Sequence, residues 1–292
     1  MQAYLIKTLF RCVALLPLSA LRRMGDGIGN LLWRRSGREA RVTLENLELC
    51  FPAMDPQQRE LLAAASLRHT AQTALEMIKI WMQPNERSAP LLLGVENEQL
   101  IEESLRSPKG LLLLLPHLGN WEMVGLWCAR YGQFATLYQP PKQAALEPLI
   151  WNARQRLGNK LYPTDTRGVR AVLKELKKGG RSAVLPDQEP EPEGGVFAPF
   201  YGVPALTMTL VHGLAGRTDC EVLMAFGKRV AGGFVIVFKE PDPLIKADNV
   251  TEAAAALNRS VESCIADCPE QYQWEYKRFK KQPAGAPRRY QF

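Results

Sequence analysis

Residues 111–130, LLLLLPHLGNWEMVGLWCAR, contain the pattern that decides the fold. The run of five leucines that opens this stretch is typical of a strand buried on both faces of a parallel sheet. Pro116 ends the run, and Asn120 is a good N-cap for a helix that follows it. His117 is therefore predicted to lie in the loop between the strand and the helix. Active sites of α/β folds lie at this edge, beyond the carboxyl ends of the strands.

Glu122 stands five residues after His117, in the first turn of the predicted helix. With His117 on a loop, the carboxylate can fold back onto the imidazole, whereas on one continuous helix the two side chains would point about 140° apart. A carboxylate fixes one histidine tautomer and leaves the other ring nitrogen free as a general base. Unpaired N–H groups at the helix start would stabilise an oxyanion, so the stretch suits acyl transfer. The same spacing also fits a polar loop residue followed by an acid that interacts with the helix dipole.

The rest of the chain alternates strand and helix patterns, which predicts an α/β fold with a mixed, largely parallel sheet flanked by helices. A long helix is predicted from Asp55 to Pro84, and Gly232 with Gly233 indicates a hairpin. Strands are predicted at residues 111–115, 134–139, 182–185, 221–226 and 234–239. Helices are predicted at residues 96–106, 120–130, 144–157, 168–178, 205–215 and 250–266.

Residues 1–33 are apolar but are interrupted by basic residues. The longest uncharged run, residues 12–21, is too short to cross a bilayer as a helix, which needs about 20 residues. On a helix, Lys7, Arg11 and Arg22 would share a narrow arc, which predicts a helical segment that lies in a membrane interface. A secretory signal peptide is the competing interpretation, but no A-x-A site follows and the flanking arginines favour the cytoplasm.

The composition limits the class of partner. The chain has 292 residues and a formal net charge of +7, which favours an acidic protein, an anionic lipid or nucleic acid. No nucleic-acid-binding motif is present, so nucleic acid is not predicted as a partner. The six scattered cysteines are predicted to be reduced thiols, and with only three histidines neither a metal site nor a cofactor is predicted.

Four blocks of this sequence resemble one protein family. P-H-L-G-N-W-E resembles the H-x4-D/E motif of the glycerolipid acyltransferase superfamily, in the form found in bacterial lipid A late acyltransferases. The other blocks follow in the family's order across nearly the whole chain. They are N-L-E-L-C-F-P at 46–52, D-Q at 187–188 with V-F-A-P-F-Y-G-V-P-A at 196–205, and P-E-Q-Y-Q-W-E-Y-K-R-F-K at 269–280. Several blocks in register are more specific than one motif.

The resemblance implies roles for particular residues. His117 would be the general base, and Glu122 would orient it in a His-Glu dyad. Arg154 stands where the family has an arginine thought to contact phosphate or to organise the site. Asp187 belongs to the D-Q block, and Asn120 to the histidine motif; these two and Arg154 are predicted to bind substrate.

The C-terminal region is rich in basic and aromatic residues, which suits a membrane interface or an acidic carrier protein. Arg278 from this region is predicted to bind substrate, and a solvated basic tail is the alternative. The loop E-P-E-P-E-G-G at residues 189–195 is unusually acidic for a surface near an anionic glycolipid. In this respect the chain departs from the family pattern.

By resemblance, the expected activity is transfer of a fatty acyl chain from acyl carrier protein to a hydroxyl of a lipid A precursor. The reaction would take place at the cytoplasmic face of the inner membrane. Residues 1–33 would form a membrane-interface segment, and residues 34–292 a single acyltransferase domain. One alternative is a different glycolipid or an amino-acid lipid as acceptor. Another is a non-catalytic homologue that binds a membrane or a carrier, which the intact H-x4-E motif disfavours.

Overall fold

A computed structural model describes residues 2–141 and 143–292 of the chain. Within these residues the chain forms nine strands and eleven α-helices, with short 3-10 helices at 89–91, 129–131, 144–146, 192–194, 243–246 and 269–271. The strands are β1 (Leu92–Glu96), β2 (Leu111–Leu114), β3 (Phe134–Tyr138), β4 (Asn159–Pro163), β5 (Arg181–Val184), β6 (Gly195–Phe200), β7 (Val203–Met208), β8 (Glu221–Val230) and β9 (Gly233–Lys239). The helices are α1 (Gln2–Leu15), α2 (Leu18–Arg34), α3 (Arg38–Cys50), α4 (Pro56–Met82), α5 (Asn85–Ser88), α6 (Glu98–Arg106), α7 (Trp121–Cys128), α8 (Glu147–Arg156), α9 (Thr166–Lys177), α10 (Leu210–Thr218) and α11 (Val250–Ile265).

Seven strands form one mixed, mostly parallel sheet in the order β1-β9-β8-β2-β5-β3-β4. The pairs on both sides of β2 are parallel, and among the described strands of this sheet only β8 and β9 pair in an antiparallel sense. Strands β6 and β7 form a separate antiparallel hairpin. The predicted fold class is confirmed, and the predicted hairpin is present at Gly232, which has a φ of 79°.

The leucine run forms the centre of the sheet and is buried on both faces, as predicted. Leu112 and Leu114 pack with residues of α9, α10 and α11 on one face. Leu111 and Leu113 pack with residues of α6 and α7 on the other face. Because successive side chains of a strand point to opposite faces, an unbroken apolar run is what a doubly covered strand needs.

The long helix α4 begins and ends where the sequence predicts. The Asp55 side chain caps its N-terminus by accepting hydrogen bonds from the N–H groups of Gln57 and Gln58, at 2.9 and 3.2 Å. The helix ends at Met82, two residues before Pro84. This helix carries several of the groups that hold the site loop described below.

One predicted helix is wrong in its first half, and four strands, β1, β4, β6 and β7, were not predicted. Of residues 205–215, the first four belong to β7, and α10 begins only at Leu210. The hairpin is fixed by α11, where Asn258 donates to Thr207 Oγ1 at 2.9 Å and to the Pro199 carbonyl at 2.9 Å. Strands β1 and β4 lie at the edges of the sheet and are half exposed, so their sequences lack a strong apolar pattern.

Helices α1 and α2 pack against α4, and no helix within the described ranges is both long and apolar enough to span a bilayer. The packing is close because α2 presents Gly29, at which an added Cβ would lie 2.4 Å from Cα of Arg68. The connection between α1 and α2 is fixed by Lys79, whose Nζ donates to the carbonyls of Ala14 and Leu16, each at 2.8 Å.

A buried ion cluster joins α2, α4 and the β8–β9 hairpin. Glu76 is 1% exposed and accepts from Arg229 at 2.8 Å and from Arg22 at 2.8 Å. Arg22 also donates to the carbonyls of Val230 and Gly233 at 2.6 and 2.8 Å. The prediction that Arg22 shares a membrane-facing arc with Lys7 and Arg11 is therefore corrected, because the Arg22 side chain points into the protein.

We expect Glu76→Ala to lower the free energy of unfolding by about 3–5 kcal/mol, because it leaves the buried guanidinium of Arg229 without a counter-charge. Denaturant unfolding followed by circular dichroism measures the change. Glu60→Ala, an exposed acid-to-alanine change on the same helix, is the matched control and should fall within about 0.5 kcal/mol of wild type. Equal stability of the two variants would contradict the importance of the cluster.

Candidate active site

The parallel register of β2 and β5 brings two separate loops together. Leu114 pairs with Val184 in the two central strands. His117 follows the first of these residues by three positions, and Asp187 follows the second by three. Because parallel strands end at the same edge of a sheet, the two side chains meet there, as expected for an α/β site.

Asp187 binds residue 117 through both carboxylate oxygens. Oδ1 lies 2.7 Å from Nδ1 of His117, and Oδ2 accepts from the backbone N–H of His117 at 2.8 Å. Asp187 is only 3% exposed. Burial acts to raise the pKa of its carboxyl, but the charge and hydrogen bonds of His117 outweigh burial and lower that pKa overall. The carboxylate is thus ionised, and it favours the tautomer of His117 that carries a proton on Nδ1.

The other ring nitrogen of His117 faces an apolar cavity. Nε2 lies 3.2 Å from Nε2 of Gln188, and the Trp121 ring packs edge-on against the imidazole with centroids 4.9 Å apart. The cavity has a volume of about 410 Å³ and is lined mainly by side chains of β2, β3, β5, α7 and α10. Its size is in the range of small-molecule sites, and its lining combines aliphatic and aromatic side chains with polar ones.

Glu122 and Arg154 form a second charged pair in the wall of this cavity. Arg154 donates to Oε1 of Glu122 from Nε at 3.3 Å and from a terminal nitrogen at 3.0 Å. The structure corrects the predicted dyad, because Asp187 and not Glu122 holds Nδ1 of His117. Asp187 follows the neighbouring strand β5. The H-x4-E spacing within one motif gives no information about that strand. All four side chains nevertheless belong to the same site, with Asp187 behind the imidazole.

The loop that carries His117 is held by backbone contacts on both sides. Gly119 has a φ of 60°, and an added Cβ there would lie 2.1 Å from the Gly227 carbonyl oxygen. Asn120 is fully buried, donates its N–H to that carbonyl at 2.8 Å and caps α7 through Met123 N–H. Asn120 was predicted to bind substrate, but the structure places it beneath the loop as a positioning residue.

Arg278 also differs from its prediction. It is 3% exposed and donates to the Leu206 carbonyl at 2.7 Å and to Thr207 Oγ1 at 3.0 Å. A third hydrogen bond, of 3.2 Å, reaches Asn258. Arg278 therefore ties the β6–β7 hairpin to α11 and does not face a substrate or a membrane. A basic run in sequence does not distinguish an exposed arginine from one that donates hydrogen bonds inside the protein.

The cysteines of this chain are free thiols, as predicted, and five of the six are buried. Cys128 lines the cavity, but burial raises the pKa of its thiol to about 12. A thiol with this pKa is almost entirely protonated at neutral pH, and the thiolate is the nucleophilic form. Cys128 is therefore not an activated nucleophile.

A histidine held by a buried carboxylate beside a largely apolar cavity, at the carboxyl edge of a parallel sheet, is an arrangement typical of α/β enzymes. The family model described as bacterial lipid A biosynthesis acyltransferase matches residues 1–281. The chain belongs to this family and is an acyltransferase of lipid A biosynthesis.

Relatives of the chain carry matching descriptions. It is 28% identical over 283 residues to the lipid A biosynthesis lauroyltransferase of Escherichia coli (strain K12), covering 95% of this chain and 91% of the relative. It is 26% identical to the lipid A biosynthesis palmitoleoyltransferase of the same organism, over 92% of this chain and 88% of the relative. Identity to the lipid A biosynthesis myristoyltransferase of that strain is 27%, over 91% of this chain and 81% of the relative.

Nitrogen NMR of histidine-labelled protein can test which carboxylate holds His117, because the chain has only three histidines. We expect the wild type to show the tautomer protonated on Nδ1. Asp187→Asn should weaken that preference, since an amide lacks the charge that favours it. Glu122→Gln makes the same chemical change at the other carboxylate and should leave the tautomer unaltered. The reverse result would restore the predicted contact between Glu122 and His117.

Proposed function

We propose that this chain transfers a fatty acyl chain from a carrier-protein thioester to a hydroxyl of a lipid A precursor, with His117 as general base. The proposal rests on one observation. The carboxylate of Asp187 is hydrogen-bonded to Nδ1 of His117, and the other ring nitrogen faces a largely apolar cavity. Family membership supports the lipid A acceptor. The apolar cavity wall suits the acyl chain of a donor, because it would bury methylene groups that are unfavourable in water.

The proposed reaction is a single displacement at the thioester carbonyl. The acceptor hydroxyl gives its proton to Nε2 of His117 while its oxygen attacks the carbonyl carbon. The carbon–sulfur bond then breaks, and the proton passes from the imidazolium to the leaving sulfur. Asp187 stabilises the imidazolium between these steps and keeps the ring in its productive tautomer.

Glu122 and Arg154 act in this proposal through charge rather than through contact with the base. Glu122 is buried and holds the guanidinium of Arg154 at the cavity wall, where Arg154 also lies 5.8 Å from the centroid of the Tyr138 ring. A fixed cation at this place would stabilise the oxyanion of the tetrahedral intermediate or bind a phosphate of the acceptor. The N–H groups at the start of α7 are the other candidate donors to the oxyanion.

An acidic carrier protein as donor is supported by charge. The chain carries a formal net charge of +7, and α9 begins two residues after Thr164, which lines the cavity. Arg167, Arg170 and Lys174 of this helix are exposed and lie at helical spacing. A basic face beside the cavity would attract an acidic carrier and guide its acyl group inward.

Contact with the inner membrane is supported by a stripe of exposed apolar residues on α2. Met24, Ile28 and Leu31 follow one another at helical spacing and are 43%, 43% and 46% exposed. Arg23 and Arg34 on the same helix are exposed as well. A helix with exposed apolar and basic side chains binds an anionic lipid surface by lying in its interface.

We expect His117→Ala to lower acyl transfer at least about 10²-fold, the scale of lost general base catalysis. Glu122→Gln should be impaired but faster than His117→Ala, because an amide keeps an acceptor oxygen for Arg154 and loses only the charge. Mass spectrometry of the lipid products formed from acyl carrier protein donor and lipid A precursor measures both rates. Folded His117→Ala with near wild-type turnover would exclude the proposed base, and no transfer by wild type would exclude the proposed substrates.

We expect the triple change Met24→Glu, Ile28→Glu and Leu31→Glu to weaken binding to anionic phospholipid vesicles at least about tenfold, because burial of each apolar side chain contributes about 1.5 kcal/mol or more. Vesicle co-sedimentation measures the effect. Leu61→Glu is the control, since Leu61 is 65% exposed on a different helix, α4. Full binding by the triple variant, or an equal loss with Leu61→Glu, would place the lipid contact elsewhere.

A further inference from the structure

The Gln188 side chain is hydrogen-bonded to Nε2 of His117, the ring nitrogen that the proposed general base would use. In the neutral tautomer that the contact with Asp187 favours, Nδ1 of His117 donates to Asp187, and Nε2 carries a lone pair and no proton. The Gln188 amide nitrogen lies 3.2 Å from Nε2 and, in this tautomer, is the donor of that hydrogen bond. A neutral imidazole nitrogen has a single lone pair in the ring plane. The acceptor hydroxyl and the Gln188 amide cannot both bind it.

We propose that Gln188 caps the base of this enzyme and is displaced only by the acceptor, so that water is not activated against the bound donor. This inference rests on the proposed function and deepens it, because it names the residue that chooses between a lipid hydroxyl and water. Gln188 is thus a specificity-determining residue of the acyl-transfer site.

The surrounding contacts allow the Gln188 side chain to move while its backbone stays in place. Asp187 on one side is fixed by two hydrogen bonds from His117. Glu189 on the other side donates its N–H to the Tyr276 hydroxyl at 2.9 Å and accepts from Lys281 N–H at 2.9 Å. Gln188 itself is partly exposed and lines the cavity. Rotation of its flexible side chain is therefore enough to uncover Nε2.

Water and the acceptor differ in what they can contribute to uncovering the base. Hydrolysis would join a water oxygen to the acyl carbon, break the carbon–sulfur bond and pass the proton through Nε2 to sulfur. This is the same chemistry as transfer, so the base alone does not discriminate. A large lipid acceptor gains binding energy from the rest of the site, and part of it can be used to displace the amide. Water has no such source of binding energy.

The test uses the whole chain with lauroyl-acyl carrier protein as donor and a lipid A precursor as acceptor. Free fatty acid and acylated lipid are measured together, and their ratio is compared among variants. Gln188→Ala removes the cap, and Gln188→Met removes it while filling similar space. We expect both to raise the ratio of hydrolysis to transfer about threefold to tenfold, since one hydrogen bond is worth about 0.5–1.5 kcal/mol. Gln155→Ala, at an exposed position of α8, should leave the ratio unchanged.

The outcomes separate the inference from the function on which it rests. A wild-type ratio in both Gln188 variants, with transfer intact, overturns the cap and leaves the proposed function standing. If the ratio of hydrolysis to transfer rises in Gln188→Ala but stays at the wild-type value in Gln188→Met, Gln188 acts through packing. That result also overturns the proposed cap. Wild-type protein that forms no acylated lipid contradicts the proposed function instead. A raised ratio in both variants with a normal ratio in Gln155→Ala supports the cap.

Discussion

The site depends on one carboxylate that binds a single residue twice. Asp187 accepts from both the backbone and the ring of His117, so it fixes the loop and the imidazole together. This is possible only because β2 and β5 are parallel neighbours with Leu114 opposite Val184. A shift of the register by one residue would turn the side chains of β5 to the opposite faces of the sheet and separate the two loops. Burial of the leucine run thus enforces the geometry of the base.

Each of the three buried carboxylates around the site has its own partner. Asp187 is paired with His117, Glu122 with Arg154, and Glu76 with Arg22 and Arg229. An unpaired charge in the interior would be costly, and each carboxylate here lies beside a positively charged or hydrogen-bonding partner. The Glu76 cluster also reaches the site, since Asn120 donates to Glu76 at 3.4 Å. The N-terminal helices are thereby connected to the loop of the base.

The sequence predicted the features that depend on local patterns. The leucine strand, the Asn120 cap, the α4 boundaries and the position of His117 at a strand end follow from apolar runs, prolines and capping residues. The partner of His117 depends on which strands are neighbours in the sheet. The local sequence of a single segment does not determine strand order. Asp187 was placed at a strand end by the same reasoning, but only the β2–β5 pairing brings it to Nδ1. Gln188 belongs to the same D-Q block but was assigned no role from the sequence, because its contact with Nε2 of His117 depends on that strand pairing.

Residues 269–281, near the C-terminus, form a brace that holds both loops of the site, the loop of His117 and the loop of Asp187. Gln271 accepts from Gly119 N–H at 3.0 Å, and Gln273 N–H donates to the His117 carbonyl at 3.2 Å. The Tyr276 hydroxyl and the Lys281 N–H hold Glu189, in the loop that carries Asp187. Because one segment holds both loops, a displacement of the brace would change the distance between the base and its carboxylate, on which rate depends strongly. The brace also binds part of the acidic loop, so that loop's negative charge is partly compensated within the protein.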